Sequence, residues 1–494
     1  MDESPSPSGE PSTQPPLAAS SLPADPVSSP AADPVPSPAA DPVPSLPADL
    51  APEASVDLSA EPPAEPSSRK PSVLIAGLAA LALVAGAGAV VFWPESDQPA
   101  TATPVVSASV APSPSPTRKT PLEQVDALID AQAQALLKGD EAAWLAPVDA
   151  KLHTRYRTIF RNLRSLDITS ADMAIDEKPK MSGAVMKARV WLNYCFSGID
   201  CPAYSSFADR GAPKMINMVT WTPRAGSYVI TGIGSSGVDN DLQPTPWENT
   251  TLTFAQGKRV IVAAPKSQAA NIKRILPLAE KAAGVADRYG KLLNNPQEKY
   301  RIYLADAKGW KTWYGRSAPP WSVGYHRPLN DAGSDIVLKA GSVMSDSDRE
   351  ITELIQHEMA HAVTLNGSRN WDYGADLWLS EGIAEYIGFQ PKKPRNTYNR
   401  DELSYVQSRR GAIKTIAQPA LTAKSDDLTV ARLYSTGHFA AGCMAEKYGE
   451  TKMLNFVQLV LGEGVAYDAA SQAALGKPFK TVDKACVSWI RKQT

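Results

Sequence analysis

The stretch Gln356-His357-Glu358-Met359-Ala360-His361 places two histidines four residues apart, with a glutamate between them. Residues at this spacing lie on one face of an α-helix, so both imidazoles can reach a single cation. The surrounding sequence predicts that helix. Ser347-Asp348-Arg349-Glu350 has the form of a capping box, an apolar stripe follows it, and Asn366-Gly367 is a typical C-terminal stop.

A second stretch, Trp378-Leu379-Ser380-Glu381-Gly382-Ile383-Ala384-Glu385-Tyr386, follows closely. It predicts another helix, with Ser380 as the N-cap and with Glu381 and Glu385 one turn apart on one face. Glu381 falls twenty residues after His361. This arrangement resembles the gluzincin clan of zinc peptidases, whose aminopeptidases carry the signature W-L-N-E-G-F-A-E-Y.

The resemblance implies that His357, His361 and Glu381 bind zinc. It also implies that Glu385 is the carboxylate that orients a ligand histidine, although an ordinary surface role for Glu385 is the alternative. Two neutral histidines and one carboxylate leave zinc a fourth position for water. Glu358 would then act as the general base that takes the proton of this water and later delivers it to the leaving amine.

A third match lies at Tyr434-Ser435-Thr436-Gly437-His438-Phe439. The aminopeptidase branch has a Y-x-x-G segment that opens a helix, and its tyrosine hydroxyl stabilises the oxyanion of the tetrahedral intermediate. The resemblance implies this catalytic role for Tyr434; the alternative is a core tyrosine on an amphipathic helix. His438 could replace it as the donor, but a structural role is the favoured interpretation.

The chain departs from the aminopeptidases at the segment that holds the free amine of their substrate. They have G-x-M-E-N upstream of the two histidines, whereas this chain has Gly333-Ser334-Asp335-Ile336-Val337 and no such glutamate. Asp335 on a predicted strand is a poor replacement. We therefore expect a zinc metallopeptidase that acts as an endopeptidase on peptides or proteins. The alternative is a non-enzymatic envelope module that retains a peptidase-like fold for binding.

The N-terminal part of the chain differs sharply from the rest. Residues 1–68 contain 18 of the 43 prolines, eleven acidic residues and no aromatic residue, which predicts a disordered tail. Residues 69–94 contain Arg69-Lys70 and then an uncharged apolar run of 21 residues, 73–93, which predicts one transmembrane helix. The basic pair indicates that the tail is cytoplasmic and that the catalytic domain lies outside the cell membrane.

The remaining sequence divides into a linker and two globular regions. Residues 95–119 are rich in proline, serine and threonine and predict an extended spacer. Residues 120–248 predict helices followed by strands, a small α+β domain that weakly resembles the cone-shaped domain typified by nuclear transport factor two. Residues 249–494 predict the α+β gluzincin-like catalytic domain, with strands near 259–264, 300–306 and 334–340 and a helix near 272–282. The predicted fold class is thus multidomain and α+β.

Four cysteines lie in the region predicted to be outside the membrane: Cys195, Cys201, Cys443 and Cys486. An even count there favours two disulfides, and pairing within each neighbourhood is the economical choice among three connectivities. Residues 71–494 hold 48 basic and 41 acidic residues, a net charge of +7. This excess is too diffuse to indicate a partner, and we expect no nucleic acid among the partners.

Overall fold

The computed structural model describes residues 119–197, 201, 211–315, 321–330, 333–368, 376–422 and 424–494. All of these residues belong to one compact unit. The predicted tail, the predicted membrane span and the linker up to residue 118 lie outside the described residues. Among the residues that are described, no helix is both long and apolar enough to cross a bilayer.

In the first globular region, the residues that the structure describes form four α-helices and an antiparallel sheet. Its helices are α1 Pro121–Lys138, α2 Glu141–Leu145, α3 His153–Ser165 and α4 Pro246–Asn249. Its strands are β1 Ile168–Ile175, β2 Lys180–Ser182, β3 Val185–Phe196, β4 Lys214–Arg224 and β5 Ser227–Ser235. The sheet order is β1-β3-β4-β5, with β2 paired to β3. Helices followed by strands is the order that the sequence predicted for this region.

The described residues of the second region form a mixed sheet and ten α-helices. Its strands are β6 Leu252–Gln256, β7 Val260–Pro265, β8 Tyr300–Ala305, β9 Gly324–Pro328 and β10 Ser334–Lys339, in the order β6-β7-β8-β10-β9. Its helices are α5 Ile272–Leu292, α6 Ala307–Thr312, α7 Ala340–Val343, α8 Asp348–Leu365, α9 Leu377–Gly388, α10 Asn399–Arg410, α11 Asp427–Tyr448, α12 Glu450–Val457, α13 Tyr467–Leu475 and α14 Phe479–Ile490. Strands β7, β8 and β10 run parallel, whereas β9 is an antiparallel edge strand.

The second sheet is buried on both faces, because successive residues of its strands enter two different cores. On β8, Ile302 and Leu304 pack in the core that contains α5 and α8, whereas Tyr303 and Ala305 pack in the core of the first region. The first region therefore packs directly against the back of the sheet whose other face supports α8.

Two disulfides are present, Cys195–Cys201 and Cys443–Cys486. This is the pairing within each neighbourhood that the sequence favoured. The second disulfide joins α11 to α14, so it ties the helix that carries Tyr434 to the last helix of the chain.

Candidate metal centre

Helix α8 positions His357, Glu358 and His361 as the sequence predicted. Ser347 and Glu350 form the capping box: the Ser347 backbone N–H donates to Glu350 Oε2 over 2.9 Å, and the Ser347 hydroxyl accepts from the Glu350 N–H. One side of the helix carries buried apolar residues, namely Ile351, Ile355, Met359, Ala362 and Val363. Because this stripe packs in the core of the second region, the two histidines are fixed relative to the sheet.

Helix α9 supplies Glu381, but it begins earlier than predicted. The helix starts at Leu377 with Asp376 in the N-cap position, so the expectation that Ser380 caps it was wrong. Trp378 and Leu379 are almost fully buried, and their packing favours a helix that begins about one turn before the predicted start. The far end of α9 is held by Gln356, whose side-chain amide donates to the carbonyls of Ile387 and Gly388 over 2.6 and 3.0 Å.

Three side-chain atoms converge at the centre of the site. The Nε2 atoms of His357 and His361 are 3.2 Å apart, and Glu381 Oε2 lies 3.3 Å from the first and 3.4 Å from the second. Ligand atoms at zinc distances of about 2.0–2.1 Å and tetrahedral angles are about 3.3–3.4 Å apart. The three atoms thus have the spacing of one face of a tetrahedral zinc site.

The orientation of His357 fits a metal ligand as well. Its Nδ1 lies 3.0 Å from Glu385 Oε1, and Glu385 is only 4% exposed. Because a carboxylate can only accept, the Nδ1–H of His357 is the donor, and Nε2 is the atom that faces Glu381 and His361. A neutral imidazole with a free Nε2 is the form that binds a divalent metal.

The electrostatics of these side chains also suit a cation. Burial by itself lowers the pKa of His357, but hydrogen bonds to Glu381 and Glu385 outweigh this and raise that pKa well above its ordinary value. Burial by itself raises the pKa of Glu381, yet the two imidazoles hold that pKa far below its usual range. The site therefore stabilises positive charge, and a divalent metal would displace a proton on binding.

Glu358 faces the cleft beside these residues. It is 4% exposed, and its Oε2 has no hydrogen-bond partner among the described residues. Burial raises the pKa of Glu358 above its ordinary value, and the nearby histidines offset only part of that rise. The edge strand β9 passes very close: a Cβ at Gly324 would lie 2.6 Å from Glu358 Oε1. A glycine at position 324 is what allows the strand to approach this carboxylate.

Tyr434 lies on α11 and lines the same cleft as His357 and Glu358. Its ring stacks against that of His357, with centroids 6.3 Å apart and 24° between the planes. Burial and the negative charge of Glu381 raise the pKa of Tyr434 well above its ordinary value, so the hydroxyl stays protonated and can donate. The resemblance implied a helix that begins at Tyr434, but α11 begins earlier, because Asp426 caps it eight residues before Tyr434.

A pair of glycines brings Glu381 and Tyr434 together. A Cβ at Gly382 would lie 2.5 Å from the carbonyl carbon of Gly437, and a Cβ at Gly437 would lie 2.4 Å from the Trp378 carbonyl oxygen. Helices α9 and α11 therefore cross at backbone contact, which only glycine permits. This crossing explains why each of the two predicted motifs contains a glycine near its functional residue.

His438 does not line the cleft that contains Tyr434. Its ring is fully buried and stacks on Phe389, with centroids 5.2 Å apart. Burial lowers the pKa of His438 to about 4, so the imidazole is neutral at physiological pH. Its Nδ1 lies 2.7 Å from the side-chain nitrogen of Asn399. This geometry favours the structural interpretation of His438.

Asp335, which the sequence indicated to be a poor candidate for binding a substrate amine, contacts other side chains in the protein interior. It is 1% exposed and pairs with Arg301 on the neighbouring strand β8 over 2.7 Å. The hydroxyl of Tyr314 donates to its second oxygen over 2.6 Å. Asp335 therefore has its partners inside the protein, and it is not among the residues that line the cleft.

Sequence reasoning missed three features of the site. No strand was predicted at the position of β9, and no role was predicted for Asn399, which is fully buried and donates to Glu385 Oε2 over 2.5 Å. The cleft walls were also not foreseen. They are mostly apolar and aromatic, formed by Trp321, Val323, Leu354, Phe389, Val430 and Tyr398.

Comparison with solved structures finds an M1 zinc metallopeptidase and a hydrolase, both at low TM-scores. A two-domain M1 zinc metallopeptidase mutant bound to L-arginine matches at a TM-score of 0.30 and 16% identity, over 55% of this chain and 58% of that one. Yeast LTA4 hydrolase matches in its native form at a TM-score of 0.28, and in complex with bestatin at 0.26. Both yeast structures are 12% identical to this chain, and the matches cover 66% of this chain and 58% of theirs.

The chain thus spans less than two thirds of the length of these solved structures. No family model matches the sequence. No curated protein matches it either.

Proposed function

We propose that this chain is a zinc-dependent peptidase that hydrolyses peptide bonds. The observation that carries the proposal is the convergence of His357, His361 and Glu381, whose ligand atoms lie 3.2 to 3.4 Å from one another. Glu358 and Tyr434 line the cleft at the same point. A zinc ion held there would supply Lewis acidity, lowering the pKa of water and polarising a carbonyl group.

Four features of the chain would carry out the other steps of the reaction. Glu358 accepts the proton of the attacking water and later delivers it to the leaving amine. Tyr434 donates its hydroxyl hydrogen to the oxygen on which negative charge develops, which stabilises the transition state more than the ground state. Glu385 holds His357 in the tautomer with a free Nε2. The apolar walls around the cleft exclude water and suit an apolar side chain of the substrate.

We further propose that the enzyme is an endopeptidase. Asp335 is buried against Arg301 and Tyr314. A carboxylate already paired in this way is unable to bind a substrate amine in the cleft, which supports cleavage within a chain rather than at its free N-terminus.

Anchoring at the cell membrane, with the catalytic domain outside, is also a proposal. It rests on the uncharged run at residues 73–93 and on Arg69-Lys70 before it. The two disulfides support an extracytoplasmic location for the globular part, since disulfides persist mainly in oxidising compartments.

A second function, a binding module that retains a peptidase-like fold, competes with the enzyme. This function is less well supported. Glu358 is buried and its Oε2 has no hydrogen-bond partner among the described residues, which lowers stability. A general base explains this cost, whereas a binding site alone does not.

The test compares the zinc-loaded full-length chain with its Glu358→Gln variant on a library of unstructured peptides. Glutamine keeps the size of the side chain but accepts no proton from water, so zinc should stay bound while hydrolysis falls at least about a hundredfold. The exposed Glu463→Gln serves as the control and should keep full activity. Failure of the folded, zinc-loaded chain to cleave any peptide would favour the binding module.

A further inference from the structure

A chain of hydrogen-bonded side chains runs from the metal centre into helices α10 and α11. Glu385, which holds His357, accepts a second hydrogen bond from the Asn399 side-chain nitrogen over 2.5 Å. The same nitrogen lies 2.7 Å from His438 Nδ1. Asn399 is the first residue of α10 and is fully buried, so these contacts have no competition from bulk water.

The direction of each hydrogen bond follows from the groups involved. The carboxylate of Glu385 can only accept, so Asn399 must present its NH₂ group to it; the opposite amide orientation would place an oxygen against an oxygen. The second N–H of that group then donates to His438 Nδ1. The hydrogen of His438 therefore lies on Nε2, which has no partner among the described residues.

The side-chain carbonyl oxygen of Asn399 lies near the hydroxyl of Ser435. The Ser435 hydroxyl lies 3.3 Å from Asn399 Oδ1 and 2.8 Å from Glu402 Oε2. A hydroxyl has one hydrogen, so it donates to Asn399 only when Glu402 is protonated and donates to the Ser435 oxygen. Burial raises the pKa of Glu402 to about 7, so its carboxyl is mostly protonated below that pH.

We propose that Asn399 is a positioning residue for the metal centre: it fixes the Glu385 carboxylate, and through it the ligand His357, relative to helix α11. Helix α11 also carries Tyr434. Asn399 thereby keeps the metal ligands and the oxyanion donor in one geometry. Its action is indirect, because its contacts are with Glu385 and His438 rather than with the ligand atoms. The inference rests on the proposed function in so far as it needs the zinc site.

The test measures the zinc dissociation constant of the full-length chain by competition with a chromophoric chelator. Asn399→Asp keeps the shape of the side chain but removes both donors, and it should weaken zinc binding by about 10- to 100-fold, the usual effect of losing a partner that orients a ligand. Asp401→Asn is the control, since Asp401 is exposed on the same helix, and it should bind zinc as the wild type does.

A second variant covers the outcome in which Asn399→Asp fails to fold. Asn399→Leu removes both donors without adding a charge, and circular dichroism and thermal unfolding show whether it is folded. The same loss of zinc affinity is expected. An unchanged affinity in a folded Asn399 variant overturns the inference but leaves the proposed function standing, whereas a wild-type chain that binds no zinc defeats both.

A double-mutant cycle distinguishes positioning from a general structural effect. If Asn399 acts through Glu385, the Asn399→Leu change should have little further effect in a Glu385→Ala background, less than about threefold on zinc affinity. Full additivity of the two changes would show that Asn399 influences the site by another route and would overturn the inference.

Discussion

The Nδ1 atom of His357 lies 3.0 Å from Oε1 of Glu385, and this contact decides which nitrogen of the imidazole faces the other ligands. It directs Nε2 at the point where His361 and Glu381 converge. The two residues come from different helices, α8 and α9, so the packing of these helices is part of the metal site.

Tyr434→Phe tests the oxyanion role. The change removes one hydroxyl, and because the hydrogen bond is made chiefly in the transition state, the rate constant should fall about 100- to 1000-fold with little change in Michaelis constant. Zinc content should be unchanged. Steady-state kinetics on a cleaved peptide provide the measurement, and a variant that retains the full rate would assign the oxyanion to another donor.

Gly437→Ala tests the close crossing of α9 and α11. A Cβ there would lie 2.4 Å from the Trp378 carbonyl oxygen, so the helices must move apart, at a cost of about 1–3 kcal/mol in the free energy of unfolding. Gly284→Ala on α5 is the matched control, because a Cβ there has no heavy atom within 4 Å. The control should be neutral or slightly stabilising, since alanine favours helix by up to about 1 kcal/mol. Equal unfolding curves for the two variants would contradict the crossing.

Glu402→Gln tests the partly buried carboxyl near Ser435 and Asn399. Burial raises the pKa of Glu402 to about 7, above its ordinary value of 4.5. Between these two values the unfolded chain has lost the proton that the folded chain keeps, so the free energy of unfolding falls as pH rises, by at most about 3 kcal/mol, and levels off above pH 7. The Glu402→Gln variant should lack this decrease in the free energy of unfolding, because its amide does not titrate.

The measurement is chemical denaturation of wild type and variant at pH 5 and at pH 8. The free energy of unfolding of Glu402→Gln minus that of wild type should be larger at pH 8 than at pH 5. For the exposed Asp401→Asn, no increase caused by Glu402 is expected, because this variant keeps Glu402. If Glu402→Gln and wild type lose stability in parallel across this range, the carboxyl is ionised in the folded protein and the donor chain from Glu402 to Asn399 is wrong.

Protease accessibility tests the proposed topology. With Arg69-Lys70 on the cytoplasmic side, protease added to intact cells should remove the part of the chain after residue 93 and spare the first 68 residues. Tags at the two termini report which part survives. Protection of the C-terminal tag in intact cells, with cleavage after lysis, would reverse the orientation.

Much of the site could be predicted because its signals are local. The capping box at Ser347 and the apolar stripe on α8 lie within one helix, and the spacing of His357 and His361 needs nothing else. Ser380 shows where local signals fail: it is a good N-cap residue, but burial of the preceding Trp378 and Leu379 extends the helix past it. Packing outweighed propensity there.

The remaining parts depend on contacts between distant residues. Asn399 meets Glu385 and His438 across 14 and 39 residues of sequence, and no spacing rule joins the three. The edge strand β9 is five residues long and is defined by pairing with β10, which the sequence Gly-Tyr-His-Arg-Pro does not indicate. Register and side-chain pairing of this kind are set by the tertiary fold.

Metal analysis of the purified full-length chain and its His361→Ala variant tests the central claim most directly. The account predicts one zinc per wild-type chain and almost none in the variant, which should remain folded because the buried stripe of α8 does not include His361. Near-stoichiometric zinc in His361→Ala, or a folded wild-type chain that binds no zinc, would contradict it.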